Sequence, residues 1–320
     1  MTPALLLLLG LPMAGVDAVT LPSRFAADRV FVEPRLAGGG KLSFFTDTGG
    51  GLFLDGRVVA RLGLPTTPGD EGATFVRLPG FAPGLGIPSP LRNDGKLYVM
   101  PAAEAAKNPM HTADGMLGEA WFGGRVWTWD YPGRRLVLEG DGWRVDPAST
   151  RVALGFKQDA DGTRATNFPR IAIEVDGKPI DVLLDTGATT VLSKDAMKAL
   201  ADSQPAERAT SMIGDSIFKA WRLAHPDWRV IEKAQSFSGA PMIEVPEVEI
   251  AGARVGPIWF TWRPDANFRE YMSGMMDAQV EGAIGGNALR HFVMTVDYPG
   301  AAAYFRCIEG CGPIRPRPAP

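Results

Sequence analysis

The sequence predicts a mainly β fold made of two similar lobes, and three observations support this prediction. Short apolar runs and alternating patterns recur between turn residues, the chain contains 38 Gly and 27 Pro, and two long segments repeat one another. Each lobe is expected to close on itself like a small barrel, with a central cleft between the two.

The composition is that of a globular chain. Of its 320 residues, 45% are hydrophobic and 22% are charged, which is enough material for two packed cores or one large one. The formal net charge is -3 and no long run of one sign occurs, so a nucleic-acid partner is not expected. With three His and two Cys the chain is a poor candidate for a zinc site, and we expect neither a metal nor a cofactor.

The segment 1–18 resembles a secretory leader. An apolar stretch too short to cross a bilayer ends at the small residue Ala18, as at a cleavage site. A short membrane anchor is the alternative, because the stretch has no Lys or Arg before it. No later segment is long and apolar enough to span a membrane, so the mature chain is expected to be periplasmic or secreted. There Cys307 and Cys311 suit a small disulfide loop, although a reduced pair is also possible.

The coarse secondary structure is mostly β. Helices are predicted at 57–63, 101–107, 193–201 with Ser193 as N-cap, and 266–278. Strand patterns occur at 28–33, 41–46, 52–54, 96–100, 126–129, 135–138, 170–175, 180–184, 243–250, 257–262 and 292–296.

The repeat consists of two pairs of matching signatures. An acid-Gly-apolar-apolar-Gly element and an Asp-Tyr-Pro-Gly turn both occur twice with one offset, since 282 minus 115 and 297 minus 130 each give 167. An apolar strand ending in Asp-Thr-Gly also occurs twice, and here 185 minus 47 gives 138. The second copy is therefore longer between its signatures by about 29 residues, which is 167 minus 138. We predict a leader at 1–18, lobe 1 at 19–145, lobe 2 at 146–312 and a Pro-rich tail at 313–320.

The two Asp-Thr-Gly sequences are Asp47-Thr48-Gly49 and Asp185-Thr186-Gly187. A single copy most simply predicts a strand that leads into a tight turn, in which the Asp side chain accepts hydrogen bonds from backbone N–H groups. That interpretation does not explain why the same tripeptide ends the same strand in both halves.

The two Asp-Thr-Gly sequences can form one site if the two copies pack about an approximate two-fold axis. Asp47 and Asp185 then lie side by side, and two adjacent carboxyl groups share one proton. One carboxyl can take a proton from water while the other donates to a peptide carbonyl oxygen. Thr48 and Thr186 would hold the loops by hydrogen bonds, and Gly49 and Gly187 would let backbone amides approach the carboxylates.

These residues resemble the aspartic peptidase superfamily, specifically its bacterial retropepsin-like branch. The similarity extends from about residue 28 to 306; Asp185-Thr186-Gly187-Ala188-Thr189 and Ala283-Ile284-Gly285 match the family elements. In the first copy Asp47-Thr48-Gly49 and Met116-Leu117-Gly118 match, but Gly50-Gly51 replaces the usual Ala or Ser and its successor. The resemblance implies a β-rich lobe per copy, a substrate cleft between the lobes and a flap that covers it.

The leading hypothesis is a monomeric aspartic endopeptidase that acts on a peptide or protein substrate. One alternative is a non-catalytic peptide-binding protein with a degenerate form of the same fold, which Gly50-Gly51 permits. Another is a homodimeric peptidase that uses Asp185 alone. Because Gly50 and Ala188 offer no hydroxyl to the carboxylates, we expect a pH optimum nearer neutral than strongly acidic.

Several other segments have two interpretations each. The Gly/Pro-rich stretch 79–86 is either the flap or an ordinary surface loop. Four residues of lobe 2 either line a subsite or cover the sheet: Trp221, His225, Trp228 and Phe237. Met272, Met275 and Met276 have helical spacing and are expected in the core. His111 and His225 have no evident partners in the sequence, which gives a Ser-His-Asp site little support.

Overall fold

The structure is a computed structural model that describes residues 17–105, 107 and 113–312. The predicted leader lies almost entirely outside these residues, as do His111 and the Pro-rich tail. No helix among the described residues is long and apolar enough to cross a membrane.

A central antiparallel sheet joins the two halves of the chain. Its order is β1-β11-β10-β24-β25-β12, so the first half contributes three adjacent strands and the second half three more. Numbered in chain order, its strands are β1 (Val19–Thr20), β10 (Val126–Asp130), β11 (Arg135–Leu138), β12 (Thr150–Ala153), β24 (Phe292–Asp297) and β25 (Ala302–Cys307).

Lobe 1 is an eight-stranded sheet in the order β2-β3-β4-β9-β5-β8-β7-β6. Its strands are β2 (Ser23–Ala26), β3 (Arg29–Val32), β4 (Phe44–Thr46), β5 (Leu52–Asp55), β6 (Thr66–Pro68), β7 (Thr74–Arg77), β8 (Lys96–Met100) and β9 (Gly115–Leu117).

Lobe 2 is a nine-stranded sheet in the order β18-β19-β22-β17-β23-β14-β13-β20-β21, beside a separate β15-β16 pair. Its strands are β13 (Arg170–Val175), β14 (Lys178–Leu184), β15 (Thr189–Val191), β16 (Glu207–Ala209), β17 (Ser211–Gly214), β18 (Val230–Ile231), β19 (Met242–Val245), β20 (Val248–Ile250), β21 (Ala253–Val255), β22 (Ile258–Arg263) and β23 (Gly282–Ile284).

The two lobe sheets have the same topology. β4 pairs in parallel with β9, and β5 is antiparallel to β9 and parallel to β8. In lobe 2, β14 pairs in parallel with β23, and β17 is antiparallel to β23 and parallel to β22. The mainly β, two-lobed prediction is therefore confirmed. Among the described residues each sheet order has two ends, and no closed barrel is seen.

The helices are short. Those in chain order are α1 (Gly56–Leu62), α2 (Ala102–Ala105), α3 (Glu119–Phe122), α4 (Lys194–Leu200), α5 (Asp215–Ala224) and α6 (Gly286–Leu289); a π-helix spans Ala266–Met272, and 3-10 turns span Asp70–Gly72, Asn93–Gly95 and Ser273–Met275.

Capping chemistry sets the ends of α1 and α4. Asp55 and Ser193 accept hydrogen bonds from the backbone N–H of Arg57 and Ala196, and both helices end at a residue in the left-handed conformation. The prediction of Ser193 as N-cap is confirmed. Of the other predicted helices, 266–278 is wrong in type, because it is a π-helix followed by a 3-10 turn.

The single strand predicted at 243–250 is also wrong. It is two strands, β19 and β20, separated by Pro246 and Glu247. Proline has no N–H to donate to the sheet, so it interrupts a run that is otherwise apolar enough for one strand.

The main core is continuous through both lobes and the central sheet. Beside the central sheet it contains a cluster of rings, in which the centroid of Trp127 lies 4.5 Å from that of Trp121 and 5.4 Å from that of Phe122. Trp121, Phe122 and Trp127 are fully buried. Burial of rings this large contributes much of the stability at the junction of the two halves.

Candidate active site

The two Asp-Thr-Gly loops are placed by equivalent sheet contacts. β4 ends just before Asp47, whose N–H donates to the carbonyl oxygen of Leu117 at 3.1 Å. β14 ends just before Asp185, whose N–H donates to the carbonyl oxygen of Ile284 at 3.0 Å. The apolar-apolar-Gly elements thus fix the starts of both loops, and this is the structural role of the second repeated signature.

The structure brings the two predicted acids together. The side chains of Asp47 and Asp185 are hydrogen-bonded to one another, and both residues are partly exposed. They come from different lobes of the same chain.

The glycines after each Asp allow this close approach. A Cβ atom on Gly187 would lie 2.1 Å from Cγ of Asp47, and one on Gly49 would lie 2.8 Å from Cγ of Asp185. Heavy atoms cannot approach so closely without displacement. Each loop therefore packs its Gly against the carboxyl group of the other loop, and a larger residue would push the acids apart.

The threonines hold the loops together. Thr48 donates its hydroxyl to the carbonyl oxygen of Leu184 at 2.6 Å and accepts the backbone N–H of Thr186 at 2.9 Å. The hydroxyl of Thr186 accepts the backbone N–H of Thr48 at 3.2 Å. Both side chains are fully buried. Because these bonds cross from one lobe to the other, they lock the relative position of the acids.

The two carboxyl groups have equivalent backbone donors. The backbone N–H of Gly49 donates to the Asp47 carboxyl group at 2.8 Å, and that of Gly187 donates to the Asp185 carboxyl group at 2.9 Å. The N–H of the next residue, Gly50 in lobe 1 and Ala188 in lobe 2, donates to the backbone oxygen of the Asp at 3.1 Å and 3.4 Å, respectively. The two loops thus have the same hydrogen-bond pattern around the acids.

The unusual Gly50 has a steric reason. A Cβ atom there would lie 2.6 Å from both Oδ2 of Asp47 and Sδ of Met116. In this chain Met116 occupies the space that an Ala or Ser side chain at position 50 would need.

Burial raises the pKa of both acids. Surrounding protein atoms replace water around the carboxyl groups, and the negative charge of Asp47 raises the pKa of Asp185 further. The hydrogen bond from Gly187 acts in the opposite direction but does not prevail. The favoured state of the pair is one proton shared between two carboxyl groups, which provides a base and an acid at one point.

Other predicted residues lie away from the acids or have structural partners. Stretch 79–86 is bound along residues 35–37, for example by the N–H of Ala37 to the oxygen of Gly80 at 3.0 Å. Trp221 is buried and its ring packs against Phe260, so it covers the lobe 2 sheet. Met272 and Met276 are buried in a small apolar cluster, as expected.

Two further expectations can be compared with the structure. His225 has partners after all: its Nε2 lies 3.3 Å from a carboxylate oxygen of Asp176, and its ring stacks on Trp228. Cys307 and Cys311 form a disulfide. Within the described part of the chain, no group of three or more His, Cys, Asp or Glu side chains could hold a metal ion.

Sequence reasoning missed the two-fold relation in the central sheet. β10 pairs with β24 so that Thr128 faces Thr295, and their hydroxyls are hydrogen-bonded at 2.8 Å. These residues are separated by the repeat distance of 167 and are therefore equivalent. The approximate two-fold axis passes between them, and the offset of 167 was the signal that could have identified the pair.

Comparison with known proteins gives similarity at the level of fold only. No family matches the sequence, and no curated protein matches it. Among solved structures, conglutin gamma, described as a unique basic 7S globulin from lupine seeds, is similar with a TM-score of 0.45 and 11% identity. The basic 7S globulin from soybean is similar with a TM-score of 0.47 and 10% identity. Each alignment covers 91% of this chain and 95% of the other.

Proposed function

We propose that this chain is a single-chain aspartic endopeptidase, in which Asp47 and Asp185 activate the water that cleaves a peptide bond. The supporting observation is the hydrogen-bonded pair of carboxyl groups, one from each lobe, held by reciprocal bonds between Thr48 and Thr186. An ion pair with a structural role joins an acid and a base, not two acids. Acids with raised pKa values at the junction of two lobes are typical of acid–base sites.

The proposed reaction needs only the pair and a water molecule. The ionised carboxyl takes a proton from water, and the oxygen attacks the peptide carbonyl carbon while the protonated carboxyl donates to the carbonyl oxygen. A tetrahedral intermediate forms without a covalent bond to the enzyme. The protonated carboxyl then donates its proton to the leaving nitrogen while the other carboxyl takes a proton from a hydroxyl of the intermediate. The C–N bond breaks, a carboxylic acid and an amine form, and the pair keeps its single proton.

The arrangement in one chain supports a monomer over the homodimeric alternative. Asp185 already has Asp47 as its partner, and Gly49 of lobe 1 occupies the place beside Asp185 that a second copy would need. Assignment to the bacterial retropepsin-like branch stays a proposal, as does the periplasmic or secreted location, with which the disulfide is compatible.

A non-catalytic peptide-binding protein is the second candidate. The observation that favours it is the departure of lobe 1 from the family pattern after Asp47-Thr48-Gly49, where Gly50-Gly51 stands. Such a protein would keep the lobes and the cleft but would not hydrolyse what it binds.

Hydrolysis of a peptide mixture by three variants tests the proposal. We expect Asp47→Asn and Asp185→Asn each to abolish turnover. Each variant keeps one carboxyl group, and one carboxyl group cannot act as base and acid in the same step. Asp227→Asn, at an exposed position of lobe 2, is the matched control and should keep full activity. Activity that survives in Asp47→Asn alone would indicate the homodimer, and an inactive but peptide-binding wild type would indicate the second candidate.

A further inference from the structure

The lobe 1 sheet has two apolar faces, and only one of them belongs to the main core. Phe44, Leu54, Leu97 and Val76 face that core. On the other face, register pairs place one residue from each of six neighbouring strands in a row, and none of them is in the core cluster. The row is Phe31, Phe45, Met116, Phe53, Tyr98 and Phe75.

This aromatic row runs directly beside the proposed catalytic pair. Phe45 precedes Asp47 by two residues and therefore lies on the same side of the strand. A Cβ atom on Gly50 would lie 2.6 Å from both Sδ of Met116 and Oδ2 of Asp47, so Met116 lies close to this acid. Phe31 and Phe53 are buried, but Phe45, Met116, Tyr98 and Phe75 keep partial exposure, so this face is partly accessible from solvent.

Lobe 2 has an equivalent row, but its own chain covers it. Leu183, Ala283 and Met212 are in register on β14, β23 and β17, and Leu183 precedes Asp185 by two residues. Leu183 is 2% exposed and Ala283 is fully buried, while Met212 packs against the same cluster and is partly exposed. The side chains that cluster over them are Phe168, Phe268, Met272, Met276 and Val280.

The covering segment, residues 266–276, is fixed in place. The hydroxyl of Ser273 donates to the oxygen of Phe268 at 2.7 Å and accepts the N–H of Val280 at 2.9 Å. The hydroxyl of Thr166 donates to the oxygen of Met275 at 2.7 Å. These bonds hold Met272 and Met276 against the lobe 2 row.

From this asymmetry we infer that the active site accepts a large, preferably aromatic, side chain on one side of the scissile bond and only a small one on the other. This inference rests on the proposed function and names its substrate class. The aromatic row of lobe 1 binds the large side chain. Phe268 and Met272 fill the corresponding space of lobe 2, so that only Gly, Ala or Ser fits there.

The expected discrimination follows from apolar pockets. One methylene group more or less in such a pocket changes kcat/KM by about 10- to 200-fold, so a phenyl ring that meets Met272 should be rejected by at least about tenfold. Aromatic contact on the lobe 1 side adds to the affinity for a substrate ring.

The test uses nine peptides of one scaffold, in which the two residues that flank a single cleavable bond are each Ala, Leu or Phe. We measure kcat/KM for the full chain and for Met272→Ala and Tyr98→Ala. Met272→Leu and Tyr98→Phe are the conservative controls, and Tyr271→Ala changes a neighbour that is 71% exposed. Binding of the same peptides, carrying a fluorophore, to the Asp185→Asn variant gives a readout that does not require hydrolysis.

We expect the wild type to prefer one order of Phe and Ala over the reverse order by at least about tenfold. Met272→Ala should raise kcat/KM for the Phe-Phe peptide by about tenfold relative to the preferred peptide, and Tyr98→Ala should reduce the preference for Phe on the other side. Equal acceptance of both orders by the wild type would overturn the inference, as would an unchanged profile in a folded Met272→Ala protein. Binding separates this inference from the proposed function. Suppose that no peptide is hydrolysed, but that binding shows the same preference for one order and that Met272→Ala, made in the Asp185→Asn variant, changes it in the expected direction. The specificity then stands and the endopeptidase proposal fails. Absent or symmetric binding without hydrolysis overturns both.

Discussion

At Gly187 a single methyl group should disrupt the acid pair. In Gly187→Ala the new Cβ would meet Cγ of Asp47 at 2.1 Å, so one loop must shift. A shift of about 1 Å in a catalytic group costs about 100-fold in rate, and we expect a loss of kcat of at least that size in a protein that still folds.

Gly142→Ala is the matched control, because nothing lies within 4 Å of its added Cβ. Steady-state kinetics of both variants, with circular dichroism to verify folding, check this prediction. A fully active Gly187→Ala enzyme would mean that the carboxyl groups do not need their present separation.

The shared proton connects the acid pair to stability. Burial raises the pKa of Asp185 well above its ordinary value of 3.8, so the folded chain holds a proton that the unfolded chain releases. This contribution to the free energy of unfolding is complete below about pH 4 and is lost as the pH rises through the folded pKa. Asn cannot ionise, so we expect the melting temperature of wild type to fall more between pH 4 and 7 than that of Asp185→Asn. Other groups titrate in both proteins and cancel in the comparison; parallel curves would contradict the raised pKa.

At the scale of the elements, the two Asp-Thr-Gly loops are stable only as a pair. Thr48→Val removes the donor to the oxygen of Leu184 and the acceptor for the N–H of Thr186, and it leaves both groups buried without that partner. Each unsatisfied buried group costs about 1–3 kcal/mol, so the free energy of unfolding should fall by about 2–6 kcal/mol.

Thr48→Ser keeps the hydroxyl and should lose much less stability. Urea unfolding of the two variants and the wild type measures the difference. An equal loss in both variants would assign the role of Thr48 to the packing of its methyl group rather than to its hydrogen bonds.

The elements also show where sequence patterns suffice. Helix α4 was predictable because Ser193, a favourable N-cap residue, directly precedes a short run in which apolar residues recur with helical spacing. The extra length of lobe 2 was counted correctly, but not what it builds: β15, α4 and β16 precede β17, which takes the position of β5 in the sheet. Sequence alone does not show this because β5 and β15 follow their Asp-Thr-Gly loops at similar distances, and only long-range pairing separates them.

The site was predictable to the same extent. The acids, the threonines and the glycines form repeated motifs, so the sequence identifies them. The cover over Leu183 comes from Phe168 and from residues 266–276, which have no repeated signature and meet the site only through packing. Local patterns carry little information on such contacts.

At the scale of the whole molecule, the central sheet makes the two halves one unit. β10 and β24 pair over five residues, and their equivalent threonines, Thr128 and Thr295, meet on the approximate two-fold axis. Interlobe bonds at Thr48 and Thr186 repeat this relation between the two Asp-Thr-Gly loops. A duplicated chain thus brings two copies of one acid together because both sheet and loops obey the same symmetry.

The covalent link between the halves should therefore be dispensable once the chain has folded. A specific protease site inserted at Gly142, in the exposed turn between β11 and β12, would allow the folded protein to be cut into two fragments. The strands contributed by each half stay paired across β10 and β24, and separation would expose two sheet edges and a buried aromatic cluster. We expect the cut protein to co-elute with the uncut protein in size-exclusion chromatography and to keep the hydrolytic activity that we propose for the intact chain. Fragments that separate without denaturant, or activity retained by the fragment with Asp185 alone, would show that the lobes do not depend on each other as this sheet requires.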